Sequence, residues 1–301
     1  MKPIPDSLLG ASAASQFEIL TRRQWKQALI TARLLDLTWT DLVSMDVASA
    51  WKWLGWDAAK HRGWITCLDR ARNQLDLVRS DSISVISELD ASVPAWLQKL
   101  ETVPWVFARG DHAILDRLTI GFSGQREAGE TSLGITAALS SQAAKDGYTV
   151  VSGGARGIDM AAHTAVLEAG GQTAVILPQG LATWSPPAPL TGASVLAISE
   201  DVPWELWNTE SAMRRNRMIV ELSDIFTVPQ SGTSGGSHST GMFALKHHVV
   251  TWVPDLGPDF PGNRKLLQRG ARLLEFDGAP DLEAMRSASI PPPKPEQPRL
   301  F

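Results

Sequence analysis

Cysteine is nearly missing from this chain of 301 residues. The single Cys67 excludes an intramolecular disulfide and any cysteine-based zinc site. An excess of positive charge is missing too: with 28 Lys and Arg against 32 Asp and Glu the formal charge is −4. A protein that coats nucleic acid with a broad basic surface is thereby excluded, and any phosphate site must be local. No apolar run approaches the roughly 18 residues that span a bilayer, and Met1 to Gly10 lacks the apolar core of a signal peptide. No membrane partner and a cytoplasmic location are therefore expected. Tyrosine occurs once, against twelve tryptophans, six of which precede residue 65. What is present is ordinary for a globular chain: 44% hydrophobic residues and 20% charged, enough for one large α/β domain plus something smaller.

Residues 1 to 16 are small and polar and are expected to be disordered. From Phe17 to about Leu77 apolar residues recur at helical spacing (Trp25, Leu29, Ala32, then Val47, Trp51, Leu54), interrupted near Asp36 to Thr40, Gly55 and Gly63. This predicts three or four short helices in a small helical N-terminal domain, residues 1–78. Its tryptophans, Trp51, Trp53 and Trp56 included, have the spacing of core residues rather than of a base-stacking face. After Ser80 strands and helices alternate: strands at 83–86, 118–122, 148–151, 173–177, 195–198, 224–228 and 249–253, with helices near 131–146, 159–169, 208–222 and 238–247. That order predicts a Rossmann-like, doubly wound, mostly parallel α/β sheet over residues 79–280, followed by a disordered proline-rich tail, 281–301. Ligands of such sheets sit at the carboxyl ends of the strands.

The special residues fall in the loops at those ends. The stretch Val150 to Asp159 reads as a strand, a loop of three glycines enclosing Arg156, and a helix start. Glycines let the backbone approach a ligand, the helix N-terminus favours negative charge, and the arginine adds a planar fork for phosphate or carboxylate. Three further loops, Ser123 to Arg126, Pro178 to Leu181 and Ser231 to Thr240, are expected to converge with it on one anion-binding crevice. On the helix 208–222, Arg214 and Arg217 stand three apart and share a face, with Met213, Ile219 and Val220 available for burial.

Ser152-Gly-Gly-Ala-Arg-Gly-Ile-Asp159, with Ala162-His163 and Gly170-Gly171 behind it, resembles the signature of the DNA-processing protein A family (DprA, also called Smf). The likeness runs from about residue 83 to Glu275. It takes in Leu177 to Leu181, Arg215-Asn216-Arg217, the Ser-Gly loop with Thr240, Val253-Pro254, and Asn263 to Ala271. It implies a Rossmann-like protein of DNA processing and recombination, natural transformation among its settings, that binds single-stranded DNA, forms a homodimer and hands the strand to the recombinase RecA. Carried over by position, Arg126, Arg156, Asn216 and Arg217 fall on family motifs. With the loop residues Gly124, Ser152, Gly153, Gly154, Gly157, Ser237 and Thr240, and with Arg214, they form the candidate DNA and phosphate site. There are departures: Gln125 stands where Ser or Thr is usual, the Ser231 to Thr240 loop is longer, and the winged-helix domain that ends many members is missing. They point to a divergent branch.

An enzymatic reading finds little support. Pro229-Gln230-Ser231-Gly232-Thr233 echoes the phosphoribohydrolase loop, but no glutamate follows to stabilise a ribosyl cation. There is no Gly-Lys-Ser/Thr loop and no carboxylate pair, and His238, His247 and His248 read as a solvated helix face without acidic companions. No catalytic residue, metal or cofactor is expected; a binder of a small nucleotide is the alternative to a DNA-binding protein. Finally, Ile290 to Phe301 carries five prolines, which would hold it extended. Its end, Gln297-x-x-Leu300-Phe301, resembles the motif by which replication and repair proteins bind the β sliding clamp, with apolar anchors and a glutamine handle.

Overall fold

A computed structural model describes residues 4–78, 82–276 and 280–289. Five helices come first: α1 (Asp6–Gln16), α2 (Arg22–Leu34), α3 (Trp39–Ser44), α4 (Val47–Leu54) and α5 (Ala58–Leu77). Their starts are written locally. Thr21 with Gln24, and Thr38 with Asp41, form reciprocal capping boxes, while Asp46 and Asp57 accept the backbone N–H of Ser49 and Lys60. Four helices follow Phe17, within the three or four expected, although Gly63 lies inside α5 rather than breaking it.

The expectation of disorder over residues 1–16 is overturned for 6–16 by α1, in which every residue from Leu8 to Ala14 is buried. The helix lies among α3, α5 and the first strand, and a Cβ on Gly10 would run into the Trp39 ring. A helix buried on all sides carries no amphipathic period, so its small residues read as polar linker. Around it the tryptophans form a core, as their spacing predicts. Phe17, Trp25, Trp56 and Trp64 pack with ring centroids 5.0–6.0 Å apart, and Trp25 reaches Trp105 of the sheet at 6.0 Å. Trp51 stands outside this cluster and is exposed.

The remaining elements are β1 (Ser84–Ser87), α6 (Ala95–Lys99), β2 (Trp105–Arg109), β3 (Thr119–Phe122), α7 (Glu130–Lys145), β4 (Thr149–Ser152), α8 (Ile158–Glu168) and β5 (Gln172–Ile176). Then come β6 (Val195–Ser199), α9 (Thr209–Leu222), β7 (Ile225–Thr227), α10 (Gly236–Lys246), β8 (Thr251–Val253), α11 (Pro261–Gln268), β9 (Arg272–Leu273) and α12 (Leu282–Ser289). The strands form one sheet in the order β1-β2-β6-β5-β4-β3-β7-β8-β9. It is parallel from β6 to β9, with β2 antiparallel to both β1 and β6. From β3 the chain winds outward to β6 and then returns to β7 on the other side of β3, the doubly wound α/β class expected. Strands β3 to β6 are buried along both faces, apart from the half-buried Gln172, and this explains their continuous apolar runs.

Two elements change the ends of the chain's plan. Strand β2 turns both its faces to core: Trp105 and Phe107 join the helical layer, while Val106 and Ala108 join the cluster under α9. Helix α12 occupies the first part of the segment assigned to the disordered tail, anchored by buried Leu282 and Met285. Gln297, Leu300 and Phe301 lie outside the described residues.

Candidate nucleic-acid interface

The β4–α8 loop is built around an arginine from another element. Arg215, on α9, is buried and its Nη1 donates to the carbonyls of Gly153 and Ile176. A Cβ on residue 153 would fall on that guanidinium, so glycine there is a condition of Arg215 being in place. Gly157 has φ +80°, and a Cβ there would meet the carbonyl oxygens of Gln125 and Arg126. This close approach lets Ile158 donate its N–H to Gln125 O at 3.2 Å, clipping the β3 loop to the start of α8. Gln125 also receives an amide hydrogen bond from Gln230 at 2.6 Å, and Gln230 Oε1 accepts the N–H of Gly129 at 2.9 Å. The unusual glutamine at 125 thus has a partner across the β3–β7 junction.

These constraints open a recess of about 190 Å³ at the ends of β4 and β5, lined by Arg126, Arg156, Arg215, Gln179, Trp184 and Trp207 together with the backbone of 153–155. Arg126 and Arg156 are exposed, and no carboxylate is among the described lining residues. Behind the loop lies Asp159, buried and accepting the Ala155 N–H at 3.3 Å. Burial raises its pKa, against the pull of the Arg215 charge. Burial likewise lowers the pKa of Arg215, with Asp159 opposing and Arg126 reinforcing. His163, fully buried below, is held neutral with its pKa near 3 by burial and by Arg215. Its Nδ1 lies 2.6 Å from the Thr173 hydroxyl, which itself donates to Val150 O. A locally cationic recess with aromatic walls can take phosphate oxygens on its guanidinium groups and a base on its indoles.

The structure sorts the residues singled out in the sequence. Arg126, Gly153, Gly154 and Arg156 come together at the recess. Gly124, Ser152 and Gly157 shape it from behind: a Cβ on Gly124 would overlap Ile158, and Ser152 is buried with its hydroxyl on Phe122 O at 2.8 Å. Of the four loops expected to converge, three do; Ser231 to Thr240 stands beyond Gln230 and does not line the recess.

Arg214 and Arg217 do not act as one face. Arg214 turns back to Glu200 and Asp201, both at 2.6 Å, and to Glu210 at 2.8 Å. Arg217 leans over the Phe243 ring, 5.4 Å from its centroid. It shares a separate groove between α9 and α10 with Asn216 and Thr240, and Ser237 lies in the first turn of α10. Met213, read as a burial candidate, is 42% exposed beside that groove, whereas Ile219 and Val220 are buried. His238 is buried rather than solvated, and His247 and His248 are exposed.

Sequence reasoning missed Arg215 as a site residue and the two tryptophans. Arg215 could have been found from the arginine next to Asn216 combined with the glycine needed to admit it. Trp207 belongs to the β6–α9 connection, which has no periodicity to mark it. Among the described residues no group of three His, Cys, Asp or Glu could hold a metal, and no helix is long and apolar enough to cross a membrane.

A doubly wound α/β sheet with an arginine-lined recess over its parallel strand ends defines the class, a Rossmann-like α/β protein. The family model for DNA recombination-mediator protein A matches residues 84–280, and the chain belongs to that family. It is 30% identical over 206 residues to DNA processing protein DprA of Bacillus subtilis, covering 65% of this chain and 69% of that one. The crystal structure of DprA from Streptococcus pneumoniae superposes with a TM-score of 0.68 at 20% identity, over 90% of this chain and 95% of that chain. DNA processing protein A from Helicobacter pylori, described for its single-stranded DNA binding mode, gives a TM-score of 0.59 at 24% identity, over 68% and 94%.

Proposed function

We propose that the recess binds single-stranded DNA and that the protein serves DNA processing and recombination as a binding protein rather than an enzyme. The carrying observation is the meeting of Arg126, Arg156 and Arg215 with Trp184 and Trp207 at one set of strand ends, without a carboxylate in the described lining. Guanidinium groups see phosphates and indoles see base faces, neither of which distinguishes one sequence from another. Affinity should therefore be nearly independent of sequence and fall with salt. Two indoles beside three guanidinium groups suit the successive bases and phosphates of a strand better than one free nucleotide. Fluorescence anisotropy with a labelled oligothymidylate, repeated with mononucleotides as competitors, tests both readings. Displacement of the oligonucleotide by micromolar mononucleotide would reverse the preference.

Finer roles extend this proposal. Homodimerisation would let two recesses hold one strand and raise affinity through effective concentration, which light scattering with and without DNA tests. Handing the strand to RecA, and binding of the β sliding clamp through Gln297, Leu300 and Phe301, are separate partner proposals. Calorimetry against the clamp, with a chain truncated before Gln297 as control, decides the second.

A further inference from the structure

Helix α9 has two working sides, and the recess uses one. On the other lies a groove of about 430 Å³ between α9 and α10, walled by Met213, Met242 and Phe243 and rimmed by Asn216, Arg217 and Lys246. Its chemistry differs from that of the recess. Met213 is 42% exposed and the walls are mainly carbon and sulfur, while the charges at the rim are positive and no carboxylate belongs to the described lining. Arg217 makes no ion pair within 4 Å among the described residues; its guanidinium lies over Phe243 instead. An apolar groove with cationic residues in its lining and an arginine already lying over an aromatic ring suits a partner that is flat, apolar on its faces and anionic along its edge.

We infer that this groove accepts a base of the same DNA strand whose backbone lies in the recess. The inference rests on the DNA-binding proposal above. Continuity supports it: Arg215 reaches the recess and Asn216 and Arg217, its immediate successors, rim the groove, so one helix of roughly 10 Å diameter separates the two sites. That span is on the order of three stacked nucleotides at 3.4 Å each. Charge complementarity supports it as well, since Arg217 and Lys246 line the groove and its carboxylate neighbours, Glu101, Glu200 and Glu221, line the adjoining hollow instead. The two methionines add a surface that adapts to any base, matching the lack of sequence preference expected of the recess.

The experiment is a length series of labelled oligothymidylates, from about four to about twelve nucleotides, titrated onto the full chain and onto Phe243→Ala and Met213→Glu. The expected result is that the shortest strands bind all three proteins equally, because they engage the recess alone. The longer strands should bind the parent more tightly and lose about 5- to 150-fold in the variants, the range for one stacked base. Met213 is exposed, so its variant is expected to fold; a melting curve on each protein checks this. An oligonucleotide with abasic positions in its outer half should bind the parent as weakly as intact DNA binds the variants. Equal binding of long strands by parent and folded variants overturns the inference, as does full affinity for the abasic strand. A groove that instead takes a protein helix would show that first result. If no strand of any length binds the parent, the DNA-binding proposal itself fails, a result distinct from loss of the length effect alone.

Discussion

Two regions of this molecule are rich in arginine, and they use it in opposite ways. At the joint between the helical layer and the sheet, Glu200 takes Arg22 at 3.2 Å and Arg214 at 2.6 Å, Asp201 takes Arg214, and Glu88 takes Lys26 at 3.2 Å and Arg33 at 3.7 Å. Glu88, Glu200 and Asp201 are buried, so these pairs hold α2 and α9 to the sheet ends. At the recess, Arg126 and Arg156 stand exposed, while Arg215 lies buried behind them with its Nη1 on the carbonyls of Gly153 and Ile176. Residue type does not separate the two regions. The partners do: an arginine whose donors are already taken by buried carboxylates is a fastener, and one facing open space beside others of its sign is a binding group. A net charge of −4 hides this, because a sum over the chain does not say which carboxylates face which arginines.

The largest expected effect comes from breaking a fastener. Arg214→Ala leaves Asp201 without its described ion-pair partner and Glu200 with Arg22 alone. Removing one member of a buried pair costs about 3 kcal/mol, so the midpoint of urea unfolding should fall sharply. Oligonucleotide affinity measured on the folded protein should hold. Loss of binding with unchanged stability would place Arg214 in the DNA site and dissolve the comparison. Gly153→Ala comes next and acts on the recess. The added methyl competes with the Arg215 guanidinium, and overpacking of this kind costs about 2 kcal/mol. Because Arg215 must move, this variant is expected to lose DNA binding beyond what its stability explains, as anisotropy at a temperature well below its melting point would show.

How much of this contrast the sequence carries depends on whether a residue's role is local. The loop from Ser152 to Asp159 is legible because strand, glycines and helix start are consecutive, and so are the βα repeats whose strands are buried on both faces. Arg215 is not, because its role exists only once α9 lies across the ends of β4 and β5 and Gly153 gives it room. Arg214 misleads for the same reason: three residues from Arg217, it turns to carboxylates 13 and 14 positions upstream that no helical spacing connects to it. Helix α1 is hidden by being buried all round, and the antiparallel strand β2 by a chain passage that reads only as the way into the sheet.

A smaller effect separates recess arginines from each other. Arg156 is exposed and no strand depends on it, so Arg156→Ala should leave the melting curve unchanged. A charge-assisted contact to phosphate is worth about 1.5–3 kcal/mol, and its loss should weaken oligonucleotide binding by at least tenfold. The plot of log affinity against log salt should become shallower by about 0.7 for each phosphate contact removed from a single strand. An unchanged slope would mean that Arg156 meets something other than a phosphate.

The smallest effect tests whether the joint is overfilled with negative charge. Glu221, on α9 beside Arg217, has its pKa pushed up to about 7, first by burial, then by Glu101 and Glu200, against the pull of Arg217 and Lys26. A carboxyl whose folded pKa lies above the ordinary 4.5 binds more protons in the native state than in the unfolded chain across that interval. Its contribution to stability is therefore fully present below pH 4.5 and is lost as the pH rises through about 7. Glu221→Gln keeps the shape and removes the titration. Parent and variant should unfold alike near pH 4, and the variant should gain progressively, reaching about 1 kcal/mol of extra stability at pH 8 once the partial exposure of the site is allowed for. The recess holds no such carboxylate in its described lining, so DNA affinity measured at pH 6 and pH 8 should change alike in the two proteins. A variant less stable than the parent at pH 8 would mean that Glu221 is a needed counter-charge for Arg217, and the joint would then be balanced rather than overfilled.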